Sequence, residues 1–320
     1  MTNDWKDKRV LITGADGFIG SHLTESLIAK GAKVSIYVQE MPNADSIQCK
    51  LNNISHLRDK FVDVITGDIS TRDSMTFIKK NEPEVLFHLA AKAYVNYSFD
   101  HPYEVMQTNV IGTLNVLEAA RLNDSIKRVV CTSSSEIYGT AQKIPIDETH
   151  PLNPSTPYAA SKVAADRYCY AYWNTYGIPV AIIRPFNTFG PRHTYDVIPK
   201  FIGLALNNET LTVYGSGEQE RDFLYIEDTV RAFEIMGLHK NSIGKFINFA
   251  TGKSYSINHI AKKIVEIAKS KSKIVHKDKR LGEVDILCGD YSFAKRLFNW
   301  EPKVSLEEGI KRNIEFVKNT

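Results

Sequence analysis

Five short runs of apolar, β-branched residues recur through the first 133 positions: RVLIT, KVSIYV, FVDVIT, EVLFHLA and RVVCTS. Each is short, largely apolar and rich in β-branched residues, so each reads as a strand covered on both faces, as in a parallel sheet. Longer stretches with helical spacing separate them: Ile19 to Lys30, Arg72 to Lys80 and Tyr103 to Arg121. Another helix is expected from Pro157 to about Tyr176, and VAIIRPF (Val180 to Phe186) reads as a sixth strand. Strands and helices in this alternation lead to an α/β fold, a doubly wound parallel sheet with helices on both faces.

Beyond Phe186 the pattern is less regular. Pro185, Gly190, Pro191 and Pro199 suggest a loop region, followed by VYGSGEQERDFLYI, where two glycines form a turn before a strand. Amphipathic helices are expected at Ile257 to Ala268 and Ser305 to Val317. The reading is a nucleotide-binding domain over residues 1–185, rejoined by about 222–250, and a smaller α+β substrate-binding domain over 186–320.

A formal charge of +3 on 320 residues, without a basic tract that makes nucleic acid the default partner, argues for a small-molecule function. Cys49, Cys131, Cys169 and Cys288 are scattered, with no C-x-x-C pair, which speaks against a metal site or a disulfide framework. No segment has the roughly 18 apolar residues of a membrane span, and the charged N-terminus lacks an apolar signal core. A cytoplasmic location, away from the membrane, is expected.

The first strand runs into Gly14, Gly17 and Gly20, a G-x-x-G-x-x-G turn at a helix start. Glycines let the backbone approach a pyrophosphate, and the helix N-terminus offers unpaired N–H groups. This makes the sheet a dinucleotide-binding Rossmann sheet. The end of the second strand reads Tyr37-Val38-Gln39-Glu40, with no Arg or Lys before Lys50. Glu40 is either a ligand of the ribose 2′-hydroxyl or a solvated carboxylate. The lack of a basic residue favours NAD, with NADP as the alternative. Asp68 ends the third strand, where it either faces an adenine amine or caps the next helix.

Ser134, Glu136, Tyr158 and Lys162 carry the chemistry. A tyrosine phenol, with an ordinary pKa of about 10, is a poor base at neutral pH. A lysine four residues later shares its helix face, and its charge favours the phenolate. Tyr158 can then take a proton from a sugar hydroxyl while hydride leaves the same carbon. Ser134 can hydrogen-bond that hydroxyl, and Lys162 can also hold the nicotinamide ribose, so Tyr158 and Lys162 are expected among the cofactor contacts as well. Glu136, two residues further on, can remove the acidified proton from the neighbouring carbon as a general base.

These motifs, TGADGFIG, HLAA (His88 to Ala91), NVIGTLNVLEAA, TSSSEIYG, PYAASK, RPFNTFGPR, GSGEQERDFLYIED and RLGEVD, resemble those of extended short-chain dehydrogenase/reductases acting on nucleotide sugars. The resemblance covers nearly the whole chain and is closest to 4,6-dehydratases of the GDP-mannose type. It implies a nucleotide-diphosphate hexose substrate, oxidation at C4 by bound NAD, loss of water across C5–C6, and hydride return to C6. A 4-epimerase is the second reading, with a small or neutral residue usual at the Glu136 position. A UDP-glucuronate decarboxylase is the third; a regulator without activity would be expected to lose the tyrosine or lysine. The resemblance also implies cofactor contacts at Phe18, Ile19 and Ile69, substrate contacts at Ser135, Asn187, Arg221 and Arg280, and a homodimer. Ser135 stands where dehydratases of dTDP-glucose place an Asp, which leaves the acid for the C6 hydroxyl unassigned.

Overall fold

The computed structural model describes residues 4–39 and 51–320. Along the chain come β1 (Arg9–Thr13), α1 (Phe18–Ala29), β2 (Lys33–Val38), β3 (Asp63–Thr66), α2 (Asp73–Asn81), β4 (Val85–His88), α3 (Tyr97–Asp100) and α4 (Pro102–Met106). A π-helical turn over Gln107–Ile111 leads into α5 (Gly112–Arg121), β5 (Arg128–Thr132), α6 (Pro157–Tyr176), β6 (Val180–Pro185) and β7 (Asn187–Phe189). Next are α7 (Val197–Leu206), β8 (Leu211–Tyr214), β9 (Glu220–Tyr225), α8 (Ile226–Leu238), β10 (Phe246–Phe249) and β11 (Ser254–Ser256). The chain ends with α9 (Ile257–Ala268), β12 (Ile274–Lys277), β13 (Ile286–Leu287), α10 (Ser292–Phe298) and α11 (Leu306–Asn319).

Seven strands form one sheet in the order β10-β6-β5-β4-β1-β2-β3, and the pairings from β6 through to β3 are all parallel. The chain starts at β1 and winds outward first through β2 and β3, then through β4, β5 and β6. The strand order therefore reverses between β1 and β4. The carboxyl ends of these two strands, Thr13 and His88, flank the switch point where a doubly wound sheet takes its ligand.

Two compact units divide the chain. The first holds residues 1–133, 157–184 and 230–246; the second holds 134–156, 185–229 and 247–320. In the first, Leu11, Leu86, Val116, Leu117, Val129, Cys131, Cys169 and Ile182 belong to one apolar core. The second is α+β. A four-stranded sheet has β9 at its centre, paired with β7, β11 and β13, and β8 pairs with β12. Trp300 is buried there, its ring edge-on to Phe249 at 4.8 Å.

Two expectations from the sequence need correction. The helix expected over Tyr103 to Arg121 is not uniform: five residues wind as a π turn between α4 and α5. The region after Phe186 is also more regular than its prolines suggested. Pro199 is the third residue of α7, within the first turn, where its missing N–H costs no intrahelical bond.

Candidate active site

The glycine turn is shaped by contacts that no side chain can share. Gly14 has φ +71°, and a Cβ there would lie 2.8 Å from the Ala90 amide nitrogen. A Cβ on Gly20 would lie 2.1 Å from the Gly14 carbonyl oxygen, so α1 packs directly on the turn. Gly17 caps α1 in an extended conformation with no side-chain hydrogen bond, so no cap side chain takes the first N–H groups of the helix. Phe18 and Ile19 begin α1 and are half-buried. This cradle fits a dinucleotide pyrophosphate at the N-terminus of α1, for which only glycine leaves room.

Further along the same sheet edge, Ile69 is buried and touches Gly112 on α5. Its carbonyl accepts from the Asn115 side chain at 3.0 Å. Asp68 is not the cap of α2. Its Oδ1 accepts from the backbone N–H and the hydroxyl of Ser70, both at 2.8 Å, closing a local turn, while α2 begins five residues later. Glu40 lies outside the described residues.

Tyr158 is the second residue of α6 and Lys162 lies one turn on; both are buried. The Lys162 Nζ donates to the Thr132 carbonyl at the end of β5, at 2.9 Å. Burial pushes the Lys162 pKa down to about 8, against an opposing pull from the Cys131 and Cys169 thiols. A lysine in this state carries a weakly held charge close to neutral pH, which suits it to bias a neighbouring phenol.

The remaining catalytic candidates lie in the second unit. Ser134 is extended and caps a single 3₁₀ turn, Ser135–Tyr138, its Oγ accepting the Glu136 N–H at 3.2 Å. That turn points Glu136 into a crowded environment. Burial raises its pKa; the Arg221 guanidinium lowers it, and the Asp196 carboxylate raises it further. Glu136 is thus a carboxyl group with enhanced basicity, held beside one cation and one anion. Ser135 is buried.

Arg221 lies on β9, with its guanidinium donating to the Glu220 carbonyl at 2.9 Å. Next to it, Asp222 is buried, accepts from the Thr251 backbone N–H and hydroxyl, and also accepts from the N–H groups of Gly252 and Gly289. This carboxylate ties β9 to two loops and was not singled out from the sequence. Asn187 starts β7, and its Oδ1 is buried with no hydrogen-bond partner among the described residues, so a hydroxyl of a polar ligand would satisfy it. Arg280 is exposed and stacks on the Tyr214 ring at 4.0 Å, which holds its planar fork in place without neutralising it.

Comparison with known proteins converges on one group of enzymes. The family model of GDP-mannose 4,6 dehydratase matches residues 11–313. The UDP-glucose 4-epimerase of Mycolicibacterium smegmatis is 34% identical over 97% of this chain and 99% of its own. The human dTDP-D-glucose 4,6-dehydratase is 33% identical, over 97% of this chain and 90% of its own. Among solved structures, the dTDP-glucose 4,6-dehydratase DesIV of Streptomyces venezuelae, with NAD bound, superposes with a TM-score of 0.88. It is 26% identical and the match covers 98% of this chain and 97% of the other. Relatives at nearly equal identity thus carry two different reactions.

Proposed function

We propose, since this chain belongs to the NAD-dependent short-chain dehydrogenase/reductase family of nucleotide-sugar epimerases and dehydratases, that it is a nucleotide-sugar 4,6-dehydratase. Glu136 carries this reading. Epimerisation at C4 needs no base at C5, whereas dehydration does, and a carboxyl group of raised pKa two residues after Ser134 supports that role. The glycine cradle at Gly14, Gly17 and Gly20 would hold NAD, as bound in the solved dehydratase, and the cofactor would supply reversible hydride acceptance.

The chain's own residues do the rest. Tyr158, as phenolate, accepts the C4 hydroxyl proton, with the Lys162 charge lowering the cost of that phenolate. Ser134 donates to the same oxygen and fixes its position. Glu136 removes the C5 proton once C4 is a ketone and, now a carboxylic acid, gives a proton to the departing C6 hydroxyl, which leaves as water; hydride then adds at C6 and a solvent proton at C5. Arg221 and Arg280 offer planar forks to the two phosphates, and Asn187 contacts the ligand through its buried amide. The first unit serves the dinucleotide and the second the sugar nucleotide.

A 4-epimerase is the second reading, favoured by the 34% identity to the mycobacterial enzyme and by Ser135, which supplies no acid for the C6 hydroxyl. Glu136→Gln separates the two. It keeps shape and hydrogen bonding but cannot accept a proton. After a panel of GDP-, UDP-, CDP- and dTDP-hexoses has found the substrate by mass spectrometry, the variant should lose water from it roughly 10²–10⁴-fold more slowly. The C4-oxidised sugar should accumulate on the protein. An epimerase would turn over at nearly the wild-type rate.

A further inference from the structure

His88 ends β4, is buried, and has no part in the proton transfers proposed above. Its ring lies between two threonine hydroxyls. Nδ1 is 2.8 Å from Thr13 Oγ1, and Nε2 is 3.0 Å from Thr113 Oγ1. The direction of each bond can be settled by elimination. The one hydroxyl proton of Thr113 goes to the Asn109 carbonyl at 2.7 Å, so Thr113 must accept from an Nε2–H. Nδ1 is then an acceptor, and Thr13 donates to it while accepting the Ala90 N–H at 3.2 Å. Burial, with the Lys162 charge nearby, lowers the imidazole pKa to about 3, so the ring stays neutral and in this single tautomer across the working pH range.

The chain of bonds continues in both directions. Toward the nucleotide it ends at Thr13, whose neighbour Gly14 begins the glycine turn. On the other side, Asn109 in the π turn exchanges bonds with the Lys92 backbone. Its Nδ2 donates to Ser161 Oγ at 2.9 Å, and Ser161 donates to the Tyr158 carbonyl at 2.7 Å. A second branch leaves the His88 carbonyl, which accepts from the Thr132 hydroxyl at 2.8 Å; the Thr132 carbonyl in turn accepts from Lys162. Thr13, His88, Asn109, Thr113 and Ser161 are all buried, in one unit, where a partly satisfied network would be costly and a fully satisfied one is rigid.

We infer that His88 is a positioning residue that ties the dinucleotide-binding turn at Thr13–Gly14 to Tyr158 through a buried hydrogen-bond chain, and to Lys162 through a part-buried one. Filling of the cradle then fixes the backbone that carries the phenol. The π turn fits this role, because it aims the Asn109 amide and carbonyl at different partners, and such turns recur where a helix serves a site.

The inference rests on Tyr158 being the group that moves the proton, and the test reads the coupling separately from turnover. In protein carrying labelled tyrosine and histidine, NMR should show His88 as the Nε2–H tautomer. Adding NAD should shift both His88 and the Tyr158 carbonyl carbon, whose oxygen accepts from Ser161, the latter signal assigned with Tyr158→Phe. Thr113→Val, which keeps the volume but removes the middle link, should abolish the Tyr158 shift while NAD affinity stays within about threefold, as the cradle is untouched. Thr113→Ser should restore it, and Ser161→Ala, which cuts the last link, should abolish it again. With a turned-over substrate, kcat of Thr113→Val should fall roughly 10- to 100-fold with little change in KM. A Tyr158 shift that survives in Thr113→Val and Ser161→Ala, or a loss that tracks NAD affinity or fold, overturns the inference. Failure of every nucleotide sugar to turn over would instead count against the proposed function and leave the NMR arm decisive.

Discussion

Lys162 holds its charge where water does not reach, and the folded protein is destabilised for it. Its pKa of about 8 lies below the ordinary 10.5, so between those values the unfolded chain binds more protons than the folded one. Stability contributed by this group therefore rises with pH across that window, and below about pH 8 the full cost is present. The difference corresponds to at most about 3 kcal/mol, less about 1 kcal/mol for the hydrogen bond to the Thr132 carbonyl. Lys162→Met should accordingly unfold at a higher temperature than wild type at neutral pH. The gap should narrow above pH 8, and catalysis should be lost. A variant of equal or lower stability at neutral pH contradicts the buried charged lysine. The pair Tyr158 and Lys162 was apparent from spacing alone, because four residues on a helix put both on one face. The His88 chain was not. Its members are spread from Thr13 to Ser161, and only the folded sheet brings them into line. Asp68 shows the reverse case: of the two roles suited to a carboxylate after a strand, the cap of α2 is excluded, because Asp68 instead closes a turn with Ser70.

At the level of helices, α4, the π turn and α5 run alongside α6 in the first unit. Several large side chains there stay uncovered: Tyr103 is 82% exposed, and Met106, Tyr168, Tyr170 and Tyr176 are also exposed. Large aromatic and apolar groups on neighbouring helices suit an isologous contact with a second copy, in which each helix pair meets its own equivalent. Light scattering should give twice the 36.1 kDa chain mass. Tyr103→Lys combined with Met106→Lys should shift the protein toward monomer, and a wild-type monomer at micromolar concentration contradicts the dimer. Helices with strong boundary signals could be read directly. Ile257–Ala268 emerges at the expected residues, its first turn capped by the Ser256 hydroxyl. Ser305 caps α11 in the same way. By contrast, α7 was hidden by Pro199 and by the near-continuous apolar run VIPKFIGLAL, which offers neither a polar face nor a clear start.

For the molecule as a whole, the parallel sheet could be read from the sequence because buried strands have a composition that needs no partner to recognise. The boundaries of the units were less legible. A later segment was expected to rejoin the first domain over about 222–250 and the compact unit takes in 230–246, whereas residues 134–156 separate from the strand that precedes them, an outcome set by long-range packing. No helix among the described residues is long and apolar enough to cross a membrane. Relatives at similar identity are a UDP-glucose 4-epimerase and a dTDP-D-glucose 4,6-dehydratase, so membership of the family alone leaves open which carbon is deprotonated. That question is answered by running the reaction in D₂O with a nucleotide-diphosphate hexose and monitoring the product by mass spectrometry and NMR. A 4-keto-6-deoxy product that has lost one water and carries solvent deuterium at C5 is expected of a 4,6-dehydratase, the function proposed for this chain. A product of unchanged mass, inverted at C4 and with its original C5 hydrogen retained, would contradict it.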